Sequence, residues 1–136
     1  MKSINLKISM TLTFILPLFS FTCNSGSPDA SQTIAGKFEN LDAKTFNEKY
    51  QASNNAVLLD VRTPEEIAEG KIEGSIALDF NSSDFYSKLD SLDKNKEYFI
   101  YCKAGVRSGK TCAYLLKKGY KTYNLEGGID AWNQAK

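Results

Sequence analysis

The sequence predicts an α/β fold, with a central parallel sheet of about five strands and helices on both faces. Short runs rich in β-branched and aromatic residues are apolar on both faces, and segments of helical pattern separate them. Strands buried on both faces are typical of parallel sheets, whose strands are joined by crossover helices. The predicted strands are residues 56–61, 75–78, 97–102 and 121–126, with a short first strand near 37–41.

Two of the predicted helices have clear start signals. Residues 41–52 contain Asp42, which fits an N-cap in front of apolar residues spaced four apart. Residues 63–70 open on Thr63, and Pro64 then occupies the first helical position, where a missing N–H does no harm. These helices would flank the strand at 56–61 on either side in the sequence.

Two further helices complete the alternation of strands and helices. Residues 82–92 lie between the third and fourth predicted strands, and residues 107–120 lie between the fourth and fifth. The second of these segments closes on Lys117, Lys118 and Gly119. Cations favour the negative end of the helix dipole, and glycine is the preferred residue just beyond a helix, so this helix is predicted to end near Gly119.

The first 22 residues predict a signal for export. Lys2 and Lys7 precede a mostly apolar run over 8–21, and the segment has no acidic residue. The run is interrupted by threonines and by Pro17, and it is too short and too broken to predict a membrane span. We therefore expect an exported protein of the cell envelope or periplasm.

Cys23 follows the apolar run directly and resembles the lipidation site of bacterial lipoproteins. In that pattern the signal is cut before the cysteine, and the thiol takes the lipid. The preceding residues 20–22 lack the aliphatic and very small side chains that are usual there. Ordinary cleavage near Thr22 or Ser27, or a retained anchor, are the alternatives to lipidation.

The remaining chain divides into a tether and one domain. Residues 23–35 are small and polar and predict a flexible tether, while residues 36–136 are long enough for a single core. The leader holds two of the 17 lysines and arginines and none of the 16 acids, which leaves 15 basic and 16 acidic residues, a net charge of −1. This balance argues against nucleic acid as a partner, and the only predicted membrane contact is the N-terminal lipid.

Three cysteines and no histidine restrict the chemistry. Cys23, Cys102 and Cys112 form no CxxC pair, so neither a disulfide framework nor a zinc site is predicted. The absence of histidine excludes Ser-His-Asp and Cys-His catalysis and the HExxH metalloprotease pattern. We expect no metal and no cofactor.

Cys102 lies at the end of a predicted strand, with a helix to follow. Ligands of open parallel sheets bind beyond the carboxyl ends of the strands. A loop of small residues at a helix N-terminus can direct backbone N–H groups at a thiolate, and the helix dipole lowers the thiol pKa further. With no histidine base in the chain, this is the activation open to Cys102, and Arg107 and Lys103 would add positive charge for an anionic substrate.

A buried structural cysteine is the alternative interpretation for each of these two thiols, Cys102 and Cys112. For Cys102, the neighbouring Gly105, Arg107 and Ser108 favour a nucleophile over a packed thiol. Cys112 falls inside the predicted helix, where a small buried side chain is the better interpretation than a resolving cysteine.

Two stretches of the chain carry a close resemblance to a known family. The segment "YCKAGVRSGKTCAYLLKKGYKTYNLEGGIDAW", residues 101–132, resembles the C-terminal half of a single-domain rhodanese, a sulfurtransferase whose active loop has the pattern Cys-x-x-Gly-x-Arg-Ser. The segment "LLDVRTPEEIAEGKIEGSIAL", residues 58–78, resembles the family's Asp-x-Arg segment and the turn after it. The likeness covers residues 38–132 in the family's order.

The resemblance implies a role for each residue of the cysteine loop. Cys102 would accept sulfur as a persulfide, in a cradle of backbone amides that the following residues provide. The residues of this loop are Lys103, Ala104, Gly105, Val106, Arg107 and Ser108.

Other matched positions would support the loop. Asp60 and Arg62 would be polar residues near the site, or simple strand-end and helix-cap groups. The pair at 127–128 matches the family's glycine turn into the last helix, and Trp132 would belong to the core. Lys71 stands where family members usually have histidine, a change expected to affect packing or local charge rather than activity.

Three functions follow, in order of preference. The first is transfer of a sulfane sulfur from a small anionic donor, such as thiosulfate, polysulfide or a persulfide, to cyanide or a thiol, including a protein thiol. The second is a persulfide carrier or partner-binding module without thiosulfate turnover. The third is a cysteine phosphatase or arsenate reductase, in which five residues separate Cys from Arg; here four lie between Cys102 and Arg107, which suits a single sulfur atom better.

Overall fold

The structure is a computed structural model that describes residues 37–136, all within one compact unit. The predictions of a signal at 1–22, lipidation at Cys23 and a tether at 23–35 lie outside the described residues. Within residues 37–136, no helix combines the length and the apolar character needed to cross a membrane.

Five parallel strands form one sheet, which confirms the predicted fold class. The spatial order is β1-β5-β4-β2-β3, so the strands at the centre are the long apolar runs and the shortest strands are at the edges. The strands are β1 Glu39–Leu41, β2 Ala56–Asp60, β3 Ile76–Ala77, β4 Glu97–Tyr101 and β5 Lys121–Leu125.

Helices connect the strands, and the predicted caps hold the first two. Asp42 accepts a hydrogen bond from the Thr45 N–H at 3.0 Å. Thr63 and Glu66 form a reciprocal capping box, in which each side chain accepts from the other's backbone N–H. The helices are α1 Ala43–Ala52, α2 Pro64–Ala68, α3 Phe85–Asp90, α4 Val106–Lys117 and α5 Gly128–Gln134.

A separate hydrophobic cluster covers each face of the sheet. On one face, strand residues such as Ile100 pack with Leu89 of α3 and Leu115 of α4. On the other face, Phe99 packs with Phe46 of α1, where the two rings meet edge to face at 5.3 Å between centroids. Because neighbours along β4 point to opposite faces, a continuous apolar run serves both clusters. This arrangement places the carboxyl ends of β2 and β4 side by side at one edge of the sheet.

Candidate active site

Cys102 lies in the turn that leaves β4, one residue beyond the end of the strand. Its side chain is 2% exposed, and α4 begins four residues later. Its sulfur is therefore at the carboxyl edge of the central strand and at the N-terminal end of a twelve-residue helix. The helix begins one residue earlier than the sequence pattern predicts, so Arg107 and Ser108 belong to its first turn.

Hydrogen-bond donors surround the sulfur of Cys102. The Gly105 N–H donates to Sγ at 3.1 Å, and the Ser108 hydroxyl donates at 3.4 Å. Burial raises the pKa of the Cys102 thiol and is the largest single influence. The Ser108 hydroxyl and the backbone N–H groups of Ser108, Gly105 and Ala104 together outweigh burial, so the pKa lies below its ordinary value. Hydroxyl and backbone donors thus stabilise the thiolate without a histidine base.

The outer side of the loop is open to solvent. Lys103, Ala104 and Val106 are exposed, and Val106 retains 66% of its accessible surface. Ser108 is fully buried beneath them. The loop thus presents small and aliphatic surface outward while its donors point inward at the sulfur.

The last helix holds the start of the loop. The Ile129 N–H donates to the Cys102 carbonyl at 2.9 Å, and the Asp130 N–H donates to the Lys103 carbonyl at 3.2 Å. Gly128 has φ +59°, and a Cβ there would lie 2.3 Å from the Lys103 oxygen and 2.4 Å from the Cys102 oxygen. Gly128, the second residue of the glycine turn, is therefore required by a close approach of two backbones.

Arg107 forms an ion pair with Glu66 of α2. Its guanidinium donates twice, at 2.7 and 2.6 Å, to the two oxygens of the carboxylate, and both side chains are about one quarter exposed. Arg107 lowers the pKa of Glu66 to about 2, and Glu66 raises the pKa of Arg107. The sequence predicts a positive charge from Arg107 at the rim of the loop. In the structure this charge is paired with the Glu66 carboxylate instead.

Asp60 and Arg62 form a second ion pair, which is buried. Asp60 is fully buried and Arg62 is 4% exposed, and the closest contact between them is 2.7 Å. The Arg62 guanidinium also donates to the carbonyls of Glu66 at 3.0 Å and Gly70 at 2.8 Å. The hydrogen bonds of this pair thus run to the backbone of α2 and of the turn after it, not to the sulfur. They place Glu66 where it meets Arg107.

Cys112 is buried on the inner face of α4, one helical turn beyond Ser108. It is a free thiol with no exposed surface. Burial raises its pKa to about 12. Its environment is that of a packed apolar residue.

A polar cavity of about 360 Å³ lies beside the loop. Lys103 of the loop, Lys71 and Asp130 contribute to its lining, together with Arg62 and Glu66 of the two ion pairs. Lys71, the position where the resembled family has histidine, is therefore near the site but exposed. Within residues 37–136, no cluster of three acidic, cysteine or histidine side chains could hold a metal ion.

Two contributors to the site were not singled out from the sequence. Glu66 is recognisable there as a capping-box residue, but its contact with Arg107 joins residues 41 positions apart. Asn124 is buried on β5 and donates to the Gly105 carbonyl at 3.2 Å. Only the strand order, which places β5 next to β4, brings Asn124 behind the loop.

Trp132, predicted as core, is only partly buried against the α1 face.

Comparisons with known proteins agree on one family. The family model described as "Rhodanese-like domain" matches residues 42–135. The putative sulfurtransferase YtwF of Bacillus subtilis is 38% identical over 96 residues, which cover 71% of this chain and 91% of that protein. A sulfurtransferase of Allochromatium vinosum is 34% identical over 93 residues, with coverage of 68% and 85% respectively.

A solved structure shows the same architecture. The crystal structure of a rhodanese-like domain protein from Staphylococcus aureus aligns with a TM-score of 0.62 and 34% identity. The alignment covers 70% of this chain and 91% of that one.

Proposed function

This chain belongs to the rhodanese-like domain family, and we propose that it is a sulfurtransferase that carries sulfane sulfur as a persulfide on Cys102. The proposal rests on the hydrogen-bond donors that lie around the Cys102 sulfur. A buried thiol with a lowered pKa receives hydrogen bonds from Gly105 and Ser108, in a loop that has four residues between Cys102 and Arg107.

The first half-reaction loads the cysteine. The Cys102 thiolate attacks the outer, sulfane sulfur of a donor such as thiosulfate, polysulfide or a persulfide. A new sulfur–sulfur bond forms to Cys102 while the donor's own bond to that sulfur breaks, and its electron pair leaves with the remainder, which is sulfite for thiosulfate. The loop donors then stabilise the negative charge of the persulfide.

The second half-reaction releases the sulfur. A nucleophilic acceptor, cyanide or a thiolate, attacks the terminal sulfur and takes it as thiocyanate or as a new persulfide. The electron pair of the broken bond returns to Cys102 as thiolate. Because the donor remainder leaves before the acceptor reacts, ping-pong kinetics are expected.

A persulfide carrier is the second candidate, and the exposed aliphatic surface at the rim of the site favours it. Val106 is 66% exposed there, where a protein thiol bringing or taking sulfur could contact it. The carrier would use the same Cys102 persulfide but would turn over thiosulfate slowly.

Phosphatase or arsenate reductase activity has less support. The loop holds four residues between Cys102 and Arg107, and both hydrogen bonds of the Arg107 guanidinium end on Glu66. A tetrahedral oxyanion would need room and a free guanidinium, and neither is provided by this arrangement.

A loading experiment tests the function. The purified chain is incubated with thiosulfate, its intact mass is followed, and thiocyanate is measured after addition of cyanide. We expect a gain of one sulfur atom that is absent in Cys102→Ser, followed by thiocyanate release. Loading without turnover would favour the carrier, and phosphate release from an aryl phosphate in place of loading would overturn both.

For the N-terminus, we propose export to the cell envelope or periplasm with a lipid on Cys23. The support is the sequence pattern of residues 1–23 alone. Detergent partitioning of the expressed protein should be lost in Cys23→Ala. Unchanged partitioning of that variant would refute the lipid.

A further inference from the structure

Asn124 occupies an unusual place for a polar side chain. It lies near the end of β5, is 4% exposed, and is the third residue before the turn at Gly127. Its amide nitrogen donates to the Asn40 side-chain oxygen at 2.8 Å and to the Gly105 carbonyl at 3.2 Å. A buried carboxamide is costly unless its groups are paired, so these two contacts indicate what the residue is there for.

Gly105 is the residue that shapes the thiolate cradle. Its φ of +92° is in the left-handed region, and its N–H is the donor that meets Cys102 Sγ at 3.1 Å. Its carbonyl accepts from the Gly109 N–H at 3.1 Å and from Asn124. The amide of Asn124 therefore fixes one end of the residue whose other end contacts the sulfur.

The wall behind Gly105 is made by the same strand. A Cβ on Gly105 would lie 3.1 Å from both the Leu125 oxygen and the Gly127 nitrogen, so the loop is already in close contact with the end of β5. Packing limits how far Gly105 can approach β5, and the hydrogen bond from Asn124 limits how far it can withdraw.

We infer that Asn124 is a positioning residue for sulfur transfer: by holding the Gly105 carbonyl, it keeps the Gly105 N–H directed at the sulfur of Cys102. The inference rests on the proposed function, because it assigns Asn124 a role in activating the group that carries the sulfur. Asn124 touches neither the sulfur nor a substrate and acts through Gly105.

The two ends of the carboxamide differ in a way that supports this role. The Asn124 NH₂ group donates to two acceptors. The Asn124 side-chain oxygen is buried and has no hydrogen-bond partner among residues 37–136. The Gly105 carbonyl can only accept, so the NH₂ end of Asn124 must face it. The residue therefore contributes donors, and a side chain of similar size without a donor should lose its effect.

The test is the reactivity of Cys102 in Asn124→Leu. Alkylation by iodoacetamide is followed against pH, and the Cys102 peptide is quantified by mass spectrometry. We expect the alkylation midpoint to move to higher pH and the rate at pH 7 to fall about three- to tenfold, the size expected for one lost neutral hydrogen bond. Sulfur loading from thiosulfate is measured in parallel and should slow by the same factor.

Thr122→Val is the matched control. Thr122 lies two residues earlier on β5 and is also 4% exposed. Its hydroxyl likewise donates to a backbone carbonyl, that of Cys112 in α4, at 3.4 Å. The substitution removes a comparable strand-to-helix hydrogen bond without touching Gly105. Thermal unfolding of both variants measures their stability separately from reactivity.

The outcomes are distinguishable. Slower alkylation in Asn124→Leu with normal alkylation in Thr122→Val supports the inference. Normal alkylation in Asn124→Leu, or an equal loss in both variants, overturns it. If Asn124→Leu fails to fold, Asn124→Ser decides in the same way, because its short hydroxyl side chain stops short of the Gly105 carbonyl. Absence of sulfur loading in the unsubstituted chain, with the alkylation difference still present, would refute the proposed function and leave the positioning role intact.

Discussion

Cys102 and Cys112 are two buried thiols in the same hydrophobic cluster, yet their acidities move in opposite directions. Neither has more than 2% of its surface exposed. Burial raises the pKa of both, to about 12 for Cys112. At Cys102, inward-pointing donors from Gly105 and the first turn of α4 more than compensate, whereas the backbone around Cys112 is occupied by the helix's own hydrogen bonds. The donors around the Cys102 sulfur therefore explain why the pKa of Cys102 is lowered while that of Cys112 is raised.

The largest expected effect is the difference between the two thiols themselves. At pH 8 the pKa of about 12 leaves Cys112 almost entirely protonated, while the lowered pKa of Cys102 gives it a larger thiolate fraction than an ordinary cysteine has. We predict that iodoacetamide alkylates Cys102 at least about a thousandfold faster than Cys112 in the folded protein. Peptide-resolved mass spectrometry separates these two cysteines from Cys23. Comparable alkylation rates for Cys102 and Cys112 in the folded protein would contradict this prediction. In denaturant the two cysteines should react at equal rates, which serves as the control.

The next effect comes from the contact that closes the loop. Gly128→Ala would place a Cβ against the carbonyls of Cys102 and Lys103, at distances no real contact reaches. We expect it to lower the free energy of unfolding by at least about 3 kcal/mol and to abolish fast alkylation of Cys102.

Gly119→Ala is its matched control. Gly119 also has a positive φ, +85°, but no atom lies within 4 Å of an added Cβ. That variant should lose only about 1 kcal/mol, the cost of the backbone conformation, and keep the reactivity of Cys102. A similar loss in both variants, measured by urea unfolding, would mean that the approach of α5 to the loop has no special importance.

The fold was predictable from the sequence because its signals are local. Alternation of apolar runs with helical patterns indicated five parallel strands, and Asp42 and Thr63 cap helices as their positions indicate. Cys102 was recognisable for the same reason, since the residues that surround its sulfur follow it within six positions.

The remaining parts of the site depend on contacts between distant residues. The pair formed by Glu66 and Arg107 spans 41 positions, and the hydrogen bond from Asn124 to Gly105 joins β5 to the loop that follows β4. Neither residue type is diagnostic by itself: a glutamate at the third position of a helix is typical of a cap, and an asparagine near a strand end is typical of a turn. Only the order of strands in the sheet brings such partners together.

A smaller effect isolates one donor at the sulfur. Ser108→Ala removes the hydroxyl that donates to Cys102 Sγ at 3.4 Å, and with it a factor that lowers the thiol pKa. The pKa of Cys102 should rise, and alkylation at pH 7 should slow about three- to tenfold, the size expected for one lost hydrogen bond. Thr111→Val is the control, because the Thr111 hydroxyl donates at 2.9 Å to the Arg107 carbonyl in the same helix and does not reach the sulfur. A larger loss in the control than in Ser108→Ala would contradict the role given to the donors.

The smallest effect on the thiol, with the opposite sign, is expected from Glu66→Gln. Removing the carboxylate leaves the Arg107 charge unshared near Cys102, so the thiol pKa should fall slightly and the alkylation midpoint should move to lower pH. A shift to higher pH would show instead that Glu66 matters to the thiol by holding the loop in place.

The same variant should change the acid stability of the protein in a defined window. The pKa of Glu66 is lowered from 4.5 to about 2 by its pairing with Arg107. The stabilisation from the pair is therefore complete above about pH 4.5 and is lost as the pH falls towards 2. About a quarter of each side chain is exposed, so solvent screens the pair. We therefore expect it to add roughly 2 kcal/mol to the free energy of unfolding, less than the whole pKa shift would give. Urea unfolding of the unsubstituted chain and of Glu66→Gln should show their difference in stability shrinking towards zero between pH 6 and pH 2. A difference that stays constant over this range would mean that the pair contributes through packing and not through charge.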